Sequence, residues 1–354
     1  MESYITLKVT DVIQETDEAK TFIFREQSGS VINFIPGQFL TLCFLFNGEE
    51  IRRSYSISTS IAEEPHIGIT IKKTLEGHAT NYFVDNIKVG DTLKAFPPLG
   101  RFVVEVSPEK KHELVLVGAG SGISPLMSIL KSTLITESES RVTLFYGNRN
   151  VNSIIFRKDL EYLERFYAGR LKVIHVLSQP DSEWLGRKGR ITKELFLGLL
   201  KEHNPSNEAH FYICGPNGMI ISVLSALAQE NIDPKRTHTE YFTVSIQENE
   251  DVPDEEIKPR KVTIIFQGKE HIITVNPGDS ILDAALEQGL ELPNSCRVGQ
   301  CSSCRAKMIS GKVNLVDQTA LTEEEIKQSY CLTCVGFPLS DDIVIDYDAT
   351  APFD

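Results

Sequence analysis

The sequence contains no apolar run near the ~20 residues that a membrane span requires, no internal repeat and no low-complexity tract. Its first ten residues, MESYITLKVT, place an acid at Glu2 and hold no apolar stretch, which speaks against a signal peptide. The expectation is a cytoplasmic protein without a membrane partner. Positive charge is also scarce: 36 Lys and Arg face 49 Asp and Glu, a formal net charge of −13. Nucleic acid is therefore not an expected partner, because phosphate binding needs a basic face. Cysteine is sparse too, seven in 354 residues, yet five of the seven fall in the last sixty. In a reducing compartment such crowding points to metal or catalysis rather than to structural disulfides.

Three compositional regimes follow one another. Up to about residue 105, short β-branched and aromatic runs alternate with turn residues, as in Tyr4–Val9, Thr21–Phe24, Phe39–Leu45, Ser54–Ser58 and Ile67–Lys72. This spacing predicts a small antiparallel barrel or sandwich. From residue 106 to 245 the pattern becomes apolar strand, turn, helix: ELVLV before GAGSGISP, RVTLFYG, LKVIHVL and FYICGPNGM each precede a helix-like segment. Alternation of that kind predicts βαβ units and a mainly parallel sheet. Residues 246–260, which hold the acidic, proline-punctuated run QENEDVPDEEIKPR from Gln247, cannot bury themselves and read as a linker. Beyond it, from 261 to 354, VTIIF and HIITV flank a turn at Gly268 as a hairpin. Asp279 or Ser280 can then cap a helix that Gly289 stops. Fourteen acids oppose seven bases in this last part, a balance that suits either a solvated surface or a basic protein patch.

The cysteine-rich segment CRVGQCSSC has the spacing C-x4-C-x2-C through Cys296, Cys301 and Cys304, with Cys331 and Cys334 downstream. A zinc ribbon offers two C-x2-C knuckles to one tetrahedron; here the first group already supplies three thiols. The spacing instead matches the plant-type [2Fe–2S] arrangement, in which two irons need four thiolates and the fourth comes from far downstream. Zinc stays as the alternative at this point. The stretch SCRVGQCSSC followed by LTEEEIKQSYCLTCVGFP resembles a plant-type ferredoxin domain. That resemblance implies an α+β β-grasp fold, with Cys334 of LTCV as the fourth ligand beside Cys296, Cys301 and Cys304. It also implies that Cys331 is a small buried side chain.

IRRSYSIS and its preceding Pro36-Gly37-Gln38 turn resemble the FAD barrel of the ferredoxin–NADP reductase superfamily. The resemblance implies that Tyr55 stacks on the isoalloxazine, that Ser56 approaches the flavin N5 region and that Arg53 pairs with the pyrophosphate. Gly77 and Thr80 resemble the second phosphate site, with Thr80 capping a helix there; His78 between them is incidental. GAGSGISP departs from G-x-G-x-x-G because Gly122 comes one residue early, yet it sits between a strand and a helix, where a phosphate loop belongs. Together with Cys214-Gly215-Pro216 it resembles the superfamily's pyridine-nucleotide site. Gly118, Gly120, Gly122, Gly215 and Pro216 then cradle the nucleotide, and Cys214 forms a wall beside the nicotinamide. The second strand ends at Arg149, not at the acid an NAD ribose prefers. NADPH is accordingly expected, with Arg190 or Ser178-Gln179 assisting and NADH as the alternative. Glu240 and Phe242, in an E-x-F context past the last strand, are the remaining candidates near the flavin. Cys43 has no such context and is expected in a core.

The order of the three parts is similar to that of reductase components of multicomponent oxygenases, most closely the group serving phenylacetyl-CoA epoxidases; ketosteroid hydroxylase reductases share it. The implied activity is electron transfer from NADPH through FAD and a [2Fe–2S] cluster to an oxygenase, a di-iron hydroxylase complex. A Rieske or ketosteroid-type oxygenase, a desaturase or a free redox protein is the alternative acceptor, and a non-enzymatic redox sensor is the remote alternative.

Overall fold

The computed structural model describes residues 4–46, 48–63, 65–74, 78–240, 258–276, 279–294, 299, 302–315 and 320–349. The chain forms two compact units, Met1–Phe242 and Thr243–Asp354. Among the described residues no helix is long and apolar enough to cross a membrane.

The first unit starts with strands β1 (Ile5–Thr16), β2 (Ala19–Glu26), β3 (Phe39–Phe46), β4 (Glu49–Ser56) and β5 (Ile67–Lys72). Helix α1 (His78–Asn86) and strand β6 (Thr92–Ala95) follow. The sheet order is β4-β3-β6-β1-β2-β5 with antiparallel neighbours. Ile57 bridges to Ile69, and the Ser58 N–H donates to the Gly68 carbonyl, so the two outer strands meet and the sheet closes. Leu7, Val9, Phe22, Phe24, Leu40 and Leu42 fill the interior. Helix α1 closes one end with Phe83, whose ring lies edge-on to Phe22 and Phe44 at 5.0 and 5.1 Å. Each such buried side chain contributes roughly 1.5–3 kcal/mol. Cys43 is buried on β3, as its lack of context suggested.

The parallel layer comprises β7 (Glu113–Ala119), α2 (Ile123–Thr136), β8 (Arg141–Asn148), α3 (Arg157–Phe166) and β9 (Leu171–Leu177). It continues through β10 (Arg187–Lys188), α4 (Lys193–His203), β11 (His210–Cys214), α5 (Asn217–Gln229) and β12 (Thr237–Glu240). The strand order is β10-β9-β8-β7-β11-β12, so the winding reverses between β7 and β11. In open parallel sheets ligands bind at the carboxyl ends of the strands flanking that reversal. Helix α2 is buried on nearly every side, because its second face packs on the barrel. Its hydroxyls satisfy barrel backbone there: Ser128 Oγ donates to the Thr59 carbonyl at 2.7 Å, and Ser132 Oγ accepts from the Ile61 N–H at 3.3 Å. Tyr212 of β11 donates its hydroxyl to the Val103 carbonyl at 3.1 Å. Ala19 and Phe102 belong to the apolar core under the parallel sheet. Barrel and parallel layer are thus one cooperative body.

The second unit contains β13 (Arg260–Phe266), β14 (Lys269–Val275), α6 (Ile281–Glu287), β15 (Arg305–Ser310) and β16 (Val313–Leu315). Helix α7 (Glu323–Lys327) and strands β17 (Tyr330–Leu332), β18 (Gly336–Pro338) and β19 (Ile343–Asp346) complete it. The main sheet runs β14-β13-β19-β15-β17, with β13 and β19 parallel at its centre and α6 packed against it. Gln267 and Gly268 have φ of 52° and 70°, the double left-handed geometry of a type I′ hairpin. Both of their N–H groups donate to the Asp348 carboxylate at 2.8 and 2.7 Å. Of the two expected caps, Ser280 is the one used, accepting from the Asp283 N–H at 3.1 Å. The linker expectation needs one correction. Residues 246–257 lie outside the described residues, but Arg260 is already strand, opposite Val275, with its stem buried and its guanidinium 3.5 Å from Asp341. That anchoring draws the end of the acidic run into the fold.

Candidate functional site

Strand β4 presents alternate residues to opposite faces. Arg53 and Tyr55 share one face and Ser54 and Ser56 the other. The Tyr55 hydroxyl lies 3.2 Å from Thr80 Oγ1. Burial raises the Tyr55 pKa, so the phenol stays neutral and serves as a flat apolar plate with one polar end. Thr80 requires a correction: α1 begins at His78, so Thr80 lies inside the first turn rather than at the cap, and its hydroxyl turns to Tyr55. Gly77 and the His78 side chain lie outside the described residues. Arg53 is exposed, and its guanidinium donates to the Arg52 carbonyl at 2.8 Å.

Ser56 Oγ donates to Glu240 Oε2 at 3.2 Å across 184 residues of sequence, and both residues are buried. The strand register explains the meeting. Cys214 pairs with Gly118 of β7 on one side and with Glu240 of β12 on the other, so the three stand in one row across the sheet. The Cys214 thiol is pushed well up by burial and then by the Glu240 carboxylate. It is therefore held protonated, which suits a wall and not a nucleophile. Phe242 lies outside the described residues.

The loop after β7 is built against that row. Gly120 has φ of 55°, and a Cβ on Gly122 would stand 2.1 Å from the Cys214 carbonyl oxygen. A side chain at Gly122 would push β11 away, so the early glycine serves a close backbone approach. A cavity of about 670 Å³ opens at these strand ends, lined by Lys72, Gly120, Arg149, Ser178, Arg190 and Pro216 among others. Arg149, Arg190 and Ser178, singled out above for a 2′-phosphate, thus face one space. Gln179 contributes through its backbone, donating to the Arg149 carbonyl at 2.7 Å. One participant escaped the sequence reading: Glu18, in the β1–β2 turn. Its carboxylate is 3.1 Å from Arg149 Nη2 and 3.3 Å from Lys72 Nζ. A lone acid in a hairpin turn carries no sequence signal of that role.

In the second unit Cys304 and Cys334 are buried, and the Gly299 N–H donates to Cys334 Sγ at 3.3 Å. Gly299 reaches this position with φ of 76°. The hydroxyl and N–H of Thr333 both donate to the Cys304 carbonyl. Cys296 and Cys301 lie outside the described residues, and among the described residues no three metal-ligating side chains converge. Buried sulfur with a backbone donor aimed at it fits a thiolate-held cluster, whose sulfurs are stabilised by such N–H groups. Cys331 is wholly buried on β17, opposite Ala306; burial first, and Cys304 second, push its thiol up to about 12.

Comparison with known proteins gives the same three parts. The profile of the oxidoreductase FAD-binding domain matches residues 6–104, that of the oxidoreductase NAD-binding domain residues 116–224, and that of the 2Fe-2S iron-sulfur cluster binding domain residues 264–339. A component of the 1,2-phenylacetyl-CoA epoxidase of Escherichia coli (strain K12) is 36% identical over 357 residues, covering 99% of each chain. The chain belongs to the ferredoxin reductase family of oxygenase reductase components. A second member, the ferredoxin reductase component of the 3-ketosteroid-9-alpha-monooxygenase of Rhodococcus rhodochrous, is 31% identical over 97% of each chain. Among solved structures, phthalate dioxygenase reductase shares the fold with a TM-score of 0.66, at 21% identity over 97% of this chain and 98% of that one. The protein is an oxidoreductase with FAD-binding, NAD-binding and 2Fe-2S domains, and its family carries electrons from NAD(P)H through FAD and the cluster.

Proposed function

We propose that this reductase takes its electrons from NADPH in the cytoplasm and delivers them to a di-iron epoxidase of the phenylacetyl-CoA type. The proposed division is an FAD barrel over residues 1–105, a nucleotide domain over 106–245, a linker over 246–259 and a ferredoxin domain over 260–354. The observation that carries the reading is the row Gly118–Cys214–Glu240 with Ser56 bonded to its end. It provides one place at which a nicotinamide and a flavin edge can meet. Bound FAD converts a two-electron hydride donor into a source of single electrons, which a [2Fe–2S] cluster can carry.

The chain's own residues do the rest. Tyr55, braced by Thr80, offers the flat surface on which the flavin ring is proposed to lie. Glu240 accepts from Ser56 and so fixes the orientation of that hydroxyl, leaving its oxygen lone pairs for a bound group. Cys214 closes the nicotinamide side without competing as a nucleophile. Arg53 supplies an exposed fork suited to a diphosphate. Cys296, Cys301, Cys304 and Cys334 are the proposed cluster ligands. Arg149, Arg190 and Ser178 around one cavity favour the 2′-phosphate of NADPH, and the match to the epoxidase component over the whole chain favours that acceptor.

Reconstitution tests both parts. NADPH oxidation is expected to couple to epoxidation of phenylacetyl-CoA in the presence of the cognate oxygenase. Uncoupled turnover there, with coupling to a steroid or Rieske oxygenase, overturns the acceptor. A roughly tenfold kcat/KM preference for NADH, equivalent to about 1.4 kcal/mol, overturns the nucleotide.

A further inference from the structure

Glu18 links the barrel to the nucleotide cavity, and nothing in the reaction described so far uses it. Two of the cations that line the cavity, Arg149 and Lys72, converge on its carboxylate at 3.1 and 3.3 Å. The fold holds the acid in place. Ala19, its neighbour, is fully buried in the core beneath the parallel sheet. The Lys73 N–H donates to the Glu18 carbonyl at 2.8 Å, and the Glu18 N–H donates to Thr16 Oγ1 at 3.3 Å. The two side chains are similarly exposed, Arg149 at 56% and Glu18 at 47%, so the pair sits at the solvent edge on backbones that the fold holds.

We infer that Glu18 is a positioning residue for nucleotide choice, engaging Arg149 and thereby weakening selection for the 2′-phosphate. This rests on the reading that the cavity takes a nicotinamide dinucleotide with its ribose toward Arg149. A 2′-phosphate is best held by the planar fork of an arginine. Here that fork already meets a carboxylate, so NADPH must break the pair. NADH carries a hydroxyl at that position and needs no such exchange. Arg190, which lines the same cavity, still offers NADPH one cation, so the site tolerates both nucleotides.

The test is Glu18→Gln, read as the ratio of kcat/KM for NADPH to that for NADH. Titration calorimetry with 2′,5′-ADP and 5′-ADP gives a second readout independent of turnover. For an exposed pair the expected rise in the ratio is about fivefold. The affinity for 2′,5′-ADP is expected to rise by a similar factor relative to 5′-ADP. In an Arg149→Leu background the same substitution should move the ratio by less than about twofold, since Glu18 acts through that fork. An unchanged ratio in Glu18→Gln, or equal shifts in both backgrounds, overturns the inference. A wild-type preference for NADH would defeat the NADPH assignment alone, because the Glu18 effect is measured as a change from whatever ratio the wild type shows.

Discussion

The two units hold their key side chains by opposite means. In Met1–Phe242 the partners come from far apart: Ser56 reaches Glu240 across 184 residues, and Gly118, Cys214 and Glu240 line up only because three strands fall into register. In Thr243–Asp354 the described sulfurs are tied over shorter spans, with Gly299 donating to Cys334 over 35 residues and Thr333 to Cys304 over 29. A site assembled from layers depends on the whole body staying packed. A site assembled from two segments of one small unit depends on that unit alone. The consequences of damage should differ accordingly.

The sharpest separation comes from Cys334→Ala. Delivery to a one-electron protein acceptor is expected to fall about a hundredfold or more, with loss of the cluster's visible absorption. NADPH-to-ferricyanide activity should stay within about twofold, because the row at Cys214 belongs to the other unit. Equal loss of both activities would erase the contrast.

A smaller effect is expected from Ser56→Ala, which removes one donor to the buried Glu240 carboxylate. Hydrogen bonds to charged groups are worth about 1.5–3 kcal/mol, so flavin reduction measured by stopped flow should slow by tenfold or more. The cluster's midpoint potential should not move. A shift there would show that the long-range row reaches further than the first unit.

The mildest test uses acid. His210 Nδ1 lies 3.3 Å from His238 Nε2, and His238 stacks on Tyr212 at 4.4 Å. Burial lowers both pKa values below 6.5, with the neighbouring charges of His112 and Arg236 on His210 and of His210 on His238 adding to it. The unfolded chain therefore binds protons more readily as pH falls through 6.5, so this stability is present above that value and is lost below it. His238→Asn should flatten the fall in Tm between pH 7 and 5 by about 2–4 °C. No flattening would remove the histidine pair from the account.

The same contrast explains what could be read from the chain alone. Cys334 came from the resemblance to plant-type ferredoxins, thirty residues beyond Cys304. The Gln267–Gly268 turn and the Ser280 cap follow from spacing over a few residues, and local geometry preserved them. Gly118, Gly120 and Gly122 mark a strand-to-helix loop for the same reason. The actual partner of Thr80, the ion pair between Glu18 and Arg149, and the strand state of Arg260 depend on which elements become neighbours. No periodicity or motif encodes that. Glu240 stood between these cases: its E-x-F context drew attention, but its bond to Ser56 required the register of β11 and β12.

Helix α2 has a bearing on modularity. Its serines replace water for barrel backbone at Thr59 and Ile61, so a cut between barrel and parallel layer would trade those bonds for water and leave a bare apolar helix face. A graft of this flavin barrel onto another nucleotide layer would have to carry α2 and its serines with it. The interchangeable piece of this reductase is therefore the whole of Met1–Phe242, and no smaller part of it.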